Sequence, residues 1–388
     1  MGIRRPFPGL WLPGDDPGRR QFVVLYEDGE LALEGGGTLS QVDVAYETWG
    51  TLDGAKSNAV LVLHALTGDS HAAGVAGPGH PTPGWWNGLI GPGAAIDTDR
   101  YFVVCPNVLG GCQGSTGPGS PAPDGTPYGS RFPLVTVRDQ VTVEAGLADA
   151  LGIEAWAAVI GGSMGGMRVL EWCVMYPDRV RRAVVLAVGA AATADEIALS
   201  ALQIRAIRAD ASFHGGDYYA FDERPVTGLA IARGIGHFSY RTAGELQHRF
   251  GRQPQEEEAP LDGGRYAIES YLDYHGDKLA GRFDPNSYIV LSEAMNHYDI
   301  GRGRGGAARA LAGVRAPVSV AGITSDRLYP LELQRELAGM LPGHPPVTVV
   351  ESFSGHDGFL LEVEQVGNVV RSALGVPAAD GGETQPRH

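Results

Sequence analysis

Cysteine, lysine and long apolar runs are all scarce in this 388-residue sequence. The three cysteines, Cys105, Cys112 and Cys173, are odd in number and lack metal-ligand spacing. This pattern argues against a disulfide scaffold or a bound metal and favours a reducing compartment. No apolar run approaches the roughly 20 residues of a membrane span, and prolines near the N-terminus interrupt any signal-peptide core. We therefore expect a cytoplasmic protein without a membrane partner.

Positive charge is also in short supply. Asp and Glu number 45 against 30 Lys and Arg, which gives a formal net charge of −15, and lysine occurs only as Lys56 and Lys278. Nucleic acids attract basic proteins, so we expect no nucleic-acid partner. The arginine–glycine run at 301–306 has an RNA-binding composition, but in an acidic chain without repeats we interpret it as a flexible return to the core.

Glycine, by contrast, is abundant, with 57 residues, and two glycines flank a candidate nucleophile. Gly161, Ser163 and Gly165 form the pattern G-x-S-x-G, which is informative only between a strand and a helix. The apolar run 157–160 precedes the pattern, and apolar residues at helical spacing follow it up to Pro177. The pattern predicts a sharp turn that aims the Ser163 hydroxyl at a helix N-terminus, where free N–H groups favour negative charge.

Short apolar runs alternate with helical patterns along most of the chain. Such alternation predicts an α/β fold with a mostly parallel sheet covered by helices on both faces. Ligands of these sheets bind at the carboxyl ends of the strands. The sequence has glycine-rich loops at three such ends, after Leu63, Cys105 and Ile160. The predicted strands are 22–26, 42–46, 59–63, 101–105, 157–160, 183–188, 317–322 and 347–350.

The stretch 190–308 differs from the rest because it has helical patterns and no clear buried strand. We interpret it as an inserted helical lid. The core then has two parts, 1–189 and 309–375, and residues 376–388 are expected to form a disordered tail. The first 20 residues are expected to form an irregular arm.

Two residues downstream of Ser163 complete a candidate catalytic set. A serine nucleophile needs a base, and the base needs an orienting acid. Asp326 and His356 each follow a predicted core strand, in the chain order Ser, Asp, His of α/β-hydrolases. We therefore predict a Ser163–Asp326–His356 triad. Taken singly, Asp326 also fits a helix N-cap and His356 a loop histidine, and His64, which precedes the nucleophile, is interpreted as structural.

An oxyanion hole requires two N–H donors aimed at the developing charge. In this type of turn, the residue after the nucleophile supplies one donor, here Met164. The loop after the third strand supplies the other, here Leu66 within 64–69. Both donors belong to the main chain, so this prediction depends on backbone geometry.

Seven segments together resemble the homoserine O-acyltransferase family of α/β-hydrolases. The resemblance spans about residues 20–375, and the combination is specific although G-x-S-x-G alone is not. Arg168 departs from the family, which often has glutamine at this position. The segments are 64–69 (HALTGD), 107–112 (NVLGGC), 161–166 (GGSMGG), 232–237 (ARGIGH), 282–288 (RFDPNSY), 325–330 (SDRLYP) and 355–360 (GHDGFL).

The resemblance implies a ping-pong acetyl transfer. Acetyl-CoA, a co-substrate and not a permanently bound cofactor, acetylates Ser163. The hydroxyl of L-homoserine, deprotonated by His356, then takes the acetyl group and gives O-acetyl-L-homoserine for methionine biosynthesis. The resemblance also carries over Arg233 as the partner of the homoserine carboxylate, which a planar guanidinium binds in bidentate fashion, and Asp357 as the partner of its amine.

The resemblance further suggests a homodimer formed through the lid, with apolar surface from Ile197, Leu199, Leu202, Ile204 and Ile207. Three functional alternatives stay open: a homoserine O-succinyltransferase, a serine esterase or thioesterase, and an inactive binding protein of the same fold. A succinyl donor would need a cation for its second carboxylate. The loops nearest Ser163 have none, and Arg168, five residues on, is expected to point away. Arg233 also fits a surface position and Asp357 a helix cap.

Overall fold

A computed structural model describes residues 9–375 of the chain. The predicted tail at 376–388 and the first eight residues of the predicted arm lie outside the described residues. Ten strands occur in the described part: β1 Gln21–Ala32, β2 Thr38–Trp49, β3 Ala59–Leu63, β4 Ile90–Gly91, β5 Ile96–Asp97, β6 Phe102–Pro106, β7 Ala158–Gly162, β8 Ala183–Leu186, β9 Val318–Ile323 and β10 Val347–Val350.

Eight of these strands form one sheet in the order β1-β2-β6-β3-β7-β8-β9-β10. From β6 to β10 all neighbouring strands are parallel, whereas β1 pairs antiparallel with β2, and β2 with β6. The apolar run of β3 is continuous because both faces of this strand are buried. Leu61 and Leu63 belong to the hydrophobic cluster on one face of the sheet, and Val60 and Val62 to the cluster on the other. The predicted α/β class is confirmed.

Helices cover both faces of the sheet. One cluster contains residues of α1, α2 and α9, and the other contains residues of α11. No helix within residues 9–375 is both long and apolar enough to cross a membrane. The helices are α1 Val137–Leu151, α2 Met164–Met175, α3 Ala194–Arg208, α4 Val226–Tyr240, α5 Ala243–Phe250, α6 Ala267–Ala280, α7 Pro285–Asn296, α8 Ala307–Leu311, α9 Leu331–Met340, α10 Gly358–Leu361 and α11 Val363–Leu374.

The helices α3 to α7 follow one another between β8 and β9, and we refer to residues 190–308 as the helical segment. Its apolar residues, such as Ile207, Leu229 and Tyr288, form a third buried cluster. Leu66 and Met164 from the core belong to the same cluster. The helical segment therefore packs directly over the loops that follow β3 and β7.

Two features differ from the sequence-based expectation. The strands β1 and β2 are 12 residues long each, because the hairpin continues past its apolar residues with a register shift between Leu25 and Glu30. The run 301–306, expected to be flexible, is instead fixed to the core by ion pairs of 2.7 Å. Arg302 pairs with Glu34, and Arg304 pairs with Glu171. The arginines of this run are therefore engaged within the protein.

Candidate active site

Ser163 occupies the sharp turn between β7 and α2. Its backbone angles are φ 55° and ψ −127°, a conformation that costs free energy for a residue with a side chain. The flanking glycines are required by close contacts. A Cβ atom at Gly165 would lie 2.1 Å from the carbonyl oxygen of Leu63, and one at Gly161 would lie 2.6 Å from the backbone of Gly165. The turn that the motif predicts is present.

The structure brings the three predicted triad residues together. The Ser163 Oγ atom lies 2.9 Å from His356 Nε2, and His356 Nδ1 lies 2.6 Å from Asp326 Oδ2. All three side chains are buried. The other carboxylate oxygen of Asp326 accepts hydrogen bonds from the N–H groups of Leu328 and Tyr329, each at 2.9 Å. These bonds hold the carboxylate towards His356, so Asp326 does not cap α9, whose N-cap position is Pro330.

His356 is buried beside the ring of Tyr329, which stacks on it with 5.1 Å between the ring centres. Burial lowers the pKa of an imidazole, but the charge and hydrogen bond of Asp326 outweigh it, so the pKa of His356 lies above its usual value. Asp357 and Glu196 act in the same direction. The imidazolium that a general base becomes is thereby stabilised.

Both predicted oxyanion donors have N–H groups that no other described residue uses. Met164 is the first residue of α2, where N–H groups have no partner within the helix. Leu66 lies in the loop after β3 and lines the same cavity as Ser163. Two unpaired main-chain donors beside a candidate nucleophile are the arrangement that an oxyanion requires.

His64 has a structural environment. Its Nε2 atom accepts the N–H of Val108 at 3.1 Å, and its Nδ1–H donates to the carbonyl of Ala65 at 2.8 Å. Burial and the nearby charge of Arg168 lower the pKa of His64 to about 3. Both ring nitrogens are therefore occupied in the neutral form, which supports the interpretation of His64 as a residue that orders the loop after β3.

Arg168 is fully buried and points away from the Ser163 cavity, as expected. Its Nη1 atom lies 2.7 Å from Glu144 Oε1, and its Nη2 atom donates to the carbonyl of His64. The second oxygen of Glu144 accepts the indole N–H of Trp172 at 2.7 Å. Arg168 thus links α1 and α2 to the loop that carries Leu66.

A cavity of about 190 Å³ lies over the triad. The core provides its floor, and the helical segment contributes residues that include Tyr240 and Met295. Two guanidinium groups and one carboxylate lie in the wall. The residues that matter for chemistry are Ser163, His356, Leu66, Arg233, Arg282 and Asp357.

Arg233, on α4, is a cation available to a ligand. It is half-buried, and its guanidinium carbon lies 5.5 Å from the ring centre of Tyr240. No carboxylate within residues 9–375 lies within ion-pair distance of it. A buried or half-buried guanidinium without an anion favours the binding of an anionic group.

Asp357 lines the same cavity but already has a partner. Its Oδ2 atom lies 3.1 Å from Arg241 Nη2, and Arg241 also contacts Glu245 at 3.2 Å. Asp357 stands at the N-cap position of α10, as the alternative had it, but its side chain makes no capping hydrogen bond there. Asp357 therefore presents a carboxylate whose charge Arg241 partly offsets.

Sequence reasoning missed Arg241 and Arg282 as residues of the site. Arg282 lines the cavity, and its Nη1 atom donates to the carbonyl of Thr67 at 2.9 Å. Burial lowers the pKa of Arg282. Arg282 lies in the segment 282–288, which carries the family resemblance, and that was the one signal in the sequence for its role. Its contact with Thr67, 215 positions away, cannot be inferred from spacing.

One cluster in the described residues has metal-ligand side chains: Glu47, His71 and His80, with ligand atoms within 4.8 Å of one another. His71 Nδ1 lies 2.9 Å from a Glu47 oxygen, and His80 Nε2 accepts the N–H of Arg19 at 3.0 Å. The two imidazoles stack with an angle of 10° between their planes. The ring nitrogens of His71 and His80 that approach Glu47 already take part in hydrogen bonds, so these contacts form a buried hydrogen-bond network.

The fold and the geometry of this site define an α/β-hydrolase: a mostly parallel sheet with serine, acid and histidine after the carboxyl ends of β7, β9 and β10. A family described as the alpha/beta hydrolase fold matches residues 58–363. The homoserine O-acetyltransferase of Thermobifida fusca is 60% identical over 370 residues, which cover 95% of this chain and 97% of that protein. The chain belongs to the homoserine O-acetyltransferase family.

Solved structures agree with this assignment at lower identity. The crystal structure of homoserine O-acetyltransferase from Bacillus anthracis has a TM-score of 0.84 at 29% identity and covers 93% of this chain and 98% of that one. The crystal structure of esterase E22 has a TM-score of 0.83 at 29% identity and covers 92% of this chain and 99% of that one. The same fold is therefore found under a transferase name and under an esterase name.

Proposed function

We propose that this protein transfers an acetyl group from acetyl-CoA to the hydroxyl of L-homoserine, giving O-acetyl-L-homoserine and CoA. Relatives at 56–60% identity that carry this name support the proposal. The observation that carries it is the placement of Arg233, which pairs with no carboxylate among residues 9–375, in the cavity of a complete Ser–Asp–His set. A plain esterase has no need for a cation placed to receive an amino-acid carboxylate.

In the first half-reaction, Ser163 Oγ attacks the thioester carbonyl while His356 Nε2 takes the hydroxyl proton. The N–H groups of Leu66 and Met164 bind the oxygen on which negative charge develops. Collapse of the tetrahedral intermediate breaks the C–S bond, and His356 returns the proton to the CoA sulfur. Asp326 keeps the imidazole oriented and stabilises its protonated form.

In the second half-reaction, homoserine binds with its carboxylate on Arg233 and its amine beside Asp357. His356 removes the proton of the homoserine hydroxyl, which attacks the acetyl carbon on Ser163. The ester bond to Ser163 breaks and the serine oxygen recovers a proton from His356. Arg241 offsets part of the Asp357 charge, so Arg233 is expected to contribute more to homoserine affinity than Asp357.

Residues 190–308 serve as a lid in this mechanism. Transfer requires that water stay away from the acetyl-serine. Tyr240 and Met295 of the helical segment line the cavity, and its apolar cluster packs on Leu66 and Met164. These contacts support a closed site in which homoserine and not water takes the acetyl group.

The lid is also proposed to form a homodimer. Of the five apolar residues named from the sequence, Ile204 and Ile207 are buried within the subunit, so they cannot contribute to an interface. Ile197 and Leu202 are exposed at 40% and 53%, and Ile231 on α4 at 53%. Exposed apolar residues on one set of helices fit a second copy of the chain better than solvent.

We place the enzyme in the cytoplasm, where its three buried free cysteines would stay reduced. Acetyl-CoA acts as a co-substrate, without a permanently bound cofactor or metal. The net charge of −15 gives no support for a nucleic-acid partner.

A product assay tests the proposed function directly. Purified protein is mixed with homoserine and either acetyl-CoA or succinyl-CoA, and both CoA release and O-acylhomoserine are measured. We expect O-acetylhomoserine in amounts equal to the released CoA. Release of CoA without this product would support hydrolysis, the activity that the name of esterase E22 suggests. O-succinylhomoserine as the main product would identify a succinyltransferase.

A further inference from the structure

A second, smaller chamber adjoins the Ser163 cavity beneath the helical segment. Its volume is about 40 Å³. Tyr329, whose ring stacks on His356, forms part of its wall. The chamber therefore lies beside both the candidate base and the candidate oxyanion hole. It shares four wall residues with the Ser163 cavity: Leu66, Tyr240, Met295 and Leu328.

Three residues of the chamber wall each carry a buried polar atom that has no hydrogen-bond partner among the described residues: Glu196 Oε1, Ser200 Oγ and Ser292 Oγ. Glu196 is only 8% exposed. Its other oxygen, Oε2, accepts the N–H of Thr193 at 3.3 Å and so caps α3. This bond orients the carboxyl group and leaves Oε1 free. Buried polar atoms without partners are rare in folded proteins and call for a functional explanation.

The wall of the chamber contains no cation. Among its twelve residues, Glu196 has the one carboxyl group, and none is Lys, Arg or His. Arg233 and Arg282 line the Ser163 cavity and not the chamber. Burial raises the pKa of Glu196 to about 7, and His356, Asp326 and Tyr329 are the ionisable groups that face it. Above that pH the chamber is therefore anionic.

We propose that this chamber holds the acyl chain of the Ser163 acyl-enzyme and that Glu196 makes it selective for short, uncharged acyl groups. The inference rests on the proposed function. At the acyl carbon, the oxygen is directed to the N–H of Leu66, and the chain needs space next to it. The chamber borders Leu66 and provides such space.

The volume and charge of the chamber predict which acyl groups the enzyme accepts. An acetyl or propionyl group fits among the apolar wall residues such as Leu199 and Met295. A succinyl group would bring its terminal carboxylate close to Glu196 with no cation to offset the two charges, which is unfavourable in a poorly solvated site. Glu196 is then a specificity-determining residue that acts by repulsion.

The main test compares acyl donors in the wild-type protein, in Glu196→Gln and in Glu269→Gln. Glutamine keeps the shape of Glu196 and an acceptor for Thr193, but it removes the charge. Glu269 is a matched control because it occupies the same capping position on α6, accepts the N–H of Tyr266 and is exposed. The measurement is kcat/KM for acetyl-CoA and succinyl-CoA at saturating homoserine and pH 8.5, with O-acylhomoserine identified by mass.

We expect Glu196→Gln to raise the succinyl-to-acetyl ratio of kcat/KM by about tenfold or more and Glu269→Gln to leave it unchanged. If the succinyl-to-acetyl ratio of kcat/KM in Glu196→Gln stayed within about twofold of wild type, the proposal that Glu196 repels the succinyl carboxylate would be overturned. If wild type makes no O-acylhomoserine from either donor, the proposed function fails instead.

A second variant tests the chamber itself. Ser200 is half-buried, and Ser200→Val adds volume to the wall. We expect this change to lower the propionyl-to-acetyl ratio by about tenfold, the usual effect of one methylene in a tight pocket. The initial burst of Ser163 acylation by p-nitrophenyl acetate and propionate measures the same ratio without CoA or homoserine. An unchanged ratio in this burst would show that the acyl chain lies elsewhere.

Discussion

The guanidinium of Arg168 and the carboxylate of Glu144 form a fully buried ion pair, with 2.7 Å between Nη1 and Oε1. The same guanidinium donates to the carbonyl of His64, at the start of the loop that carries Leu66. The pair therefore connects the packing of α1 and α2 to the position of a candidate oxyanion donor. It also accounts for the direction of Arg168, which points into the core and not towards the acyl group.

Breaking this pair from one side should destabilise the protein more than removing both charges. Arg168→Met leaves Glu144 buried without a cation, and we expect the free energy of unfolding to fall by about 3–5 kcal/mol. The double variant Arg168→Met with Glu144→Gln should recover part of that loss. Urea unfolding of wild type, the two single variants Arg168→Met and Glu144→Gln, and the double variant measures the coupling, and strictly additive effects would contradict it. Arg168→Gln should leave the preference for acetyl-CoA over succinyl-CoA unchanged, since Arg168 does not reach the cavity.

Ser163→Ala should abolish transfer while the fold is retained. Loss of the nucleophile is expected to reduce kcat by a factor of about 10⁴–10⁶, with a circular dichroism spectrum like that of wild type. Mass spectrometry of wild type mixed with acetyl-CoA alone should show one acetyl group on the peptide that contains Ser163. Acetylation elsewhere with Ser163 unmodified would refute the assignment. A protein that also fails to react with a serine-directed phosphonate would be a binding protein.

The pH profile of kcat/KM should report the raised pKa of His356. A general base must be neutral, so activity is lost as pH falls through that pKa, and we expect the acidic limb to lie above the ordinary value of 6.5. Asp326→Asn removes the charge that raises the pKa, so the limb should move to lower pH. The plateau value of kcat/KM in Asp326→Asn should also fall, by a factor of about 10⁴. A limb below pH 6.5 in wild type, or one that does not move in the variant, would contradict this account.

Arg233→Gln should separate the two half-reactions. We expect KM for homoserine to rise by about 10–100-fold, because a bidentate charged contact with its carboxylate is lost. The burst of CoA release from acetyl-CoA alone should stay at the wild-type rate. Arg249→Gln is the control, since Arg249 pairs with Glu245 on α5 and does not line the cavity. A slower burst with an unchanged homoserine KM would place Arg233 at the acetyl donor.

The proposed dimer should show a mass near twice the 40.9 kDa of the chain at micromolar concentration. Ile231→Asp, on the exposed face of α4, is expected to shift the protein to the monomer because it buries a charge in an apolar contact. Leu134→Asp changes an equally apolar residue that is 43% exposed outside the helical segment and should leave the dimer intact. Light scattering distinguishes these outcomes, and a monomeric wild type would refute the dimer.

Much of the site could be predicted because its signals are local. The apolar run before Ser163 and the glycines around it specify the turn, since a Cβ at Gly165 would collide with Leu63. Asp326 and His356 could be named as candidate triad residues because each lies just after a core strand whose apolar residues identify it. The positions of Leu66 and Met164 follow from the same strand ends.

Other features could not be predicted because they depend on contacts between distant segments. Arg241 is 116 positions from Asp357 in the sequence, and neither residue type nor spacing indicates that they form an ion pair. The buried strands β4 and β5 are two residues each, too short to leave a periodic pattern. Ile204 and Ile207 looked like interface residues because their burial by α4 and α7 was not visible in the sequence.

The sequence by itself determined the fold class and the order of the core strands along the chain, and it singled out Ser163, Asp326 and His356 as candidate triad residues. These depend on apolar periodicity and on the steric needs of a tight turn, which are properties of short stretches. Only the tertiary structure decided which charges meet in the cavity. Within the described part of the chain, Arg233 has no carboxylate partner, Asp357 is partly neutralised, Arg168 is buried in the core, and Glu196 lines a chamber without a cation. The reason is that the pKa and availability of a charged side chain depend on its burial and on neighbours brought near by folding.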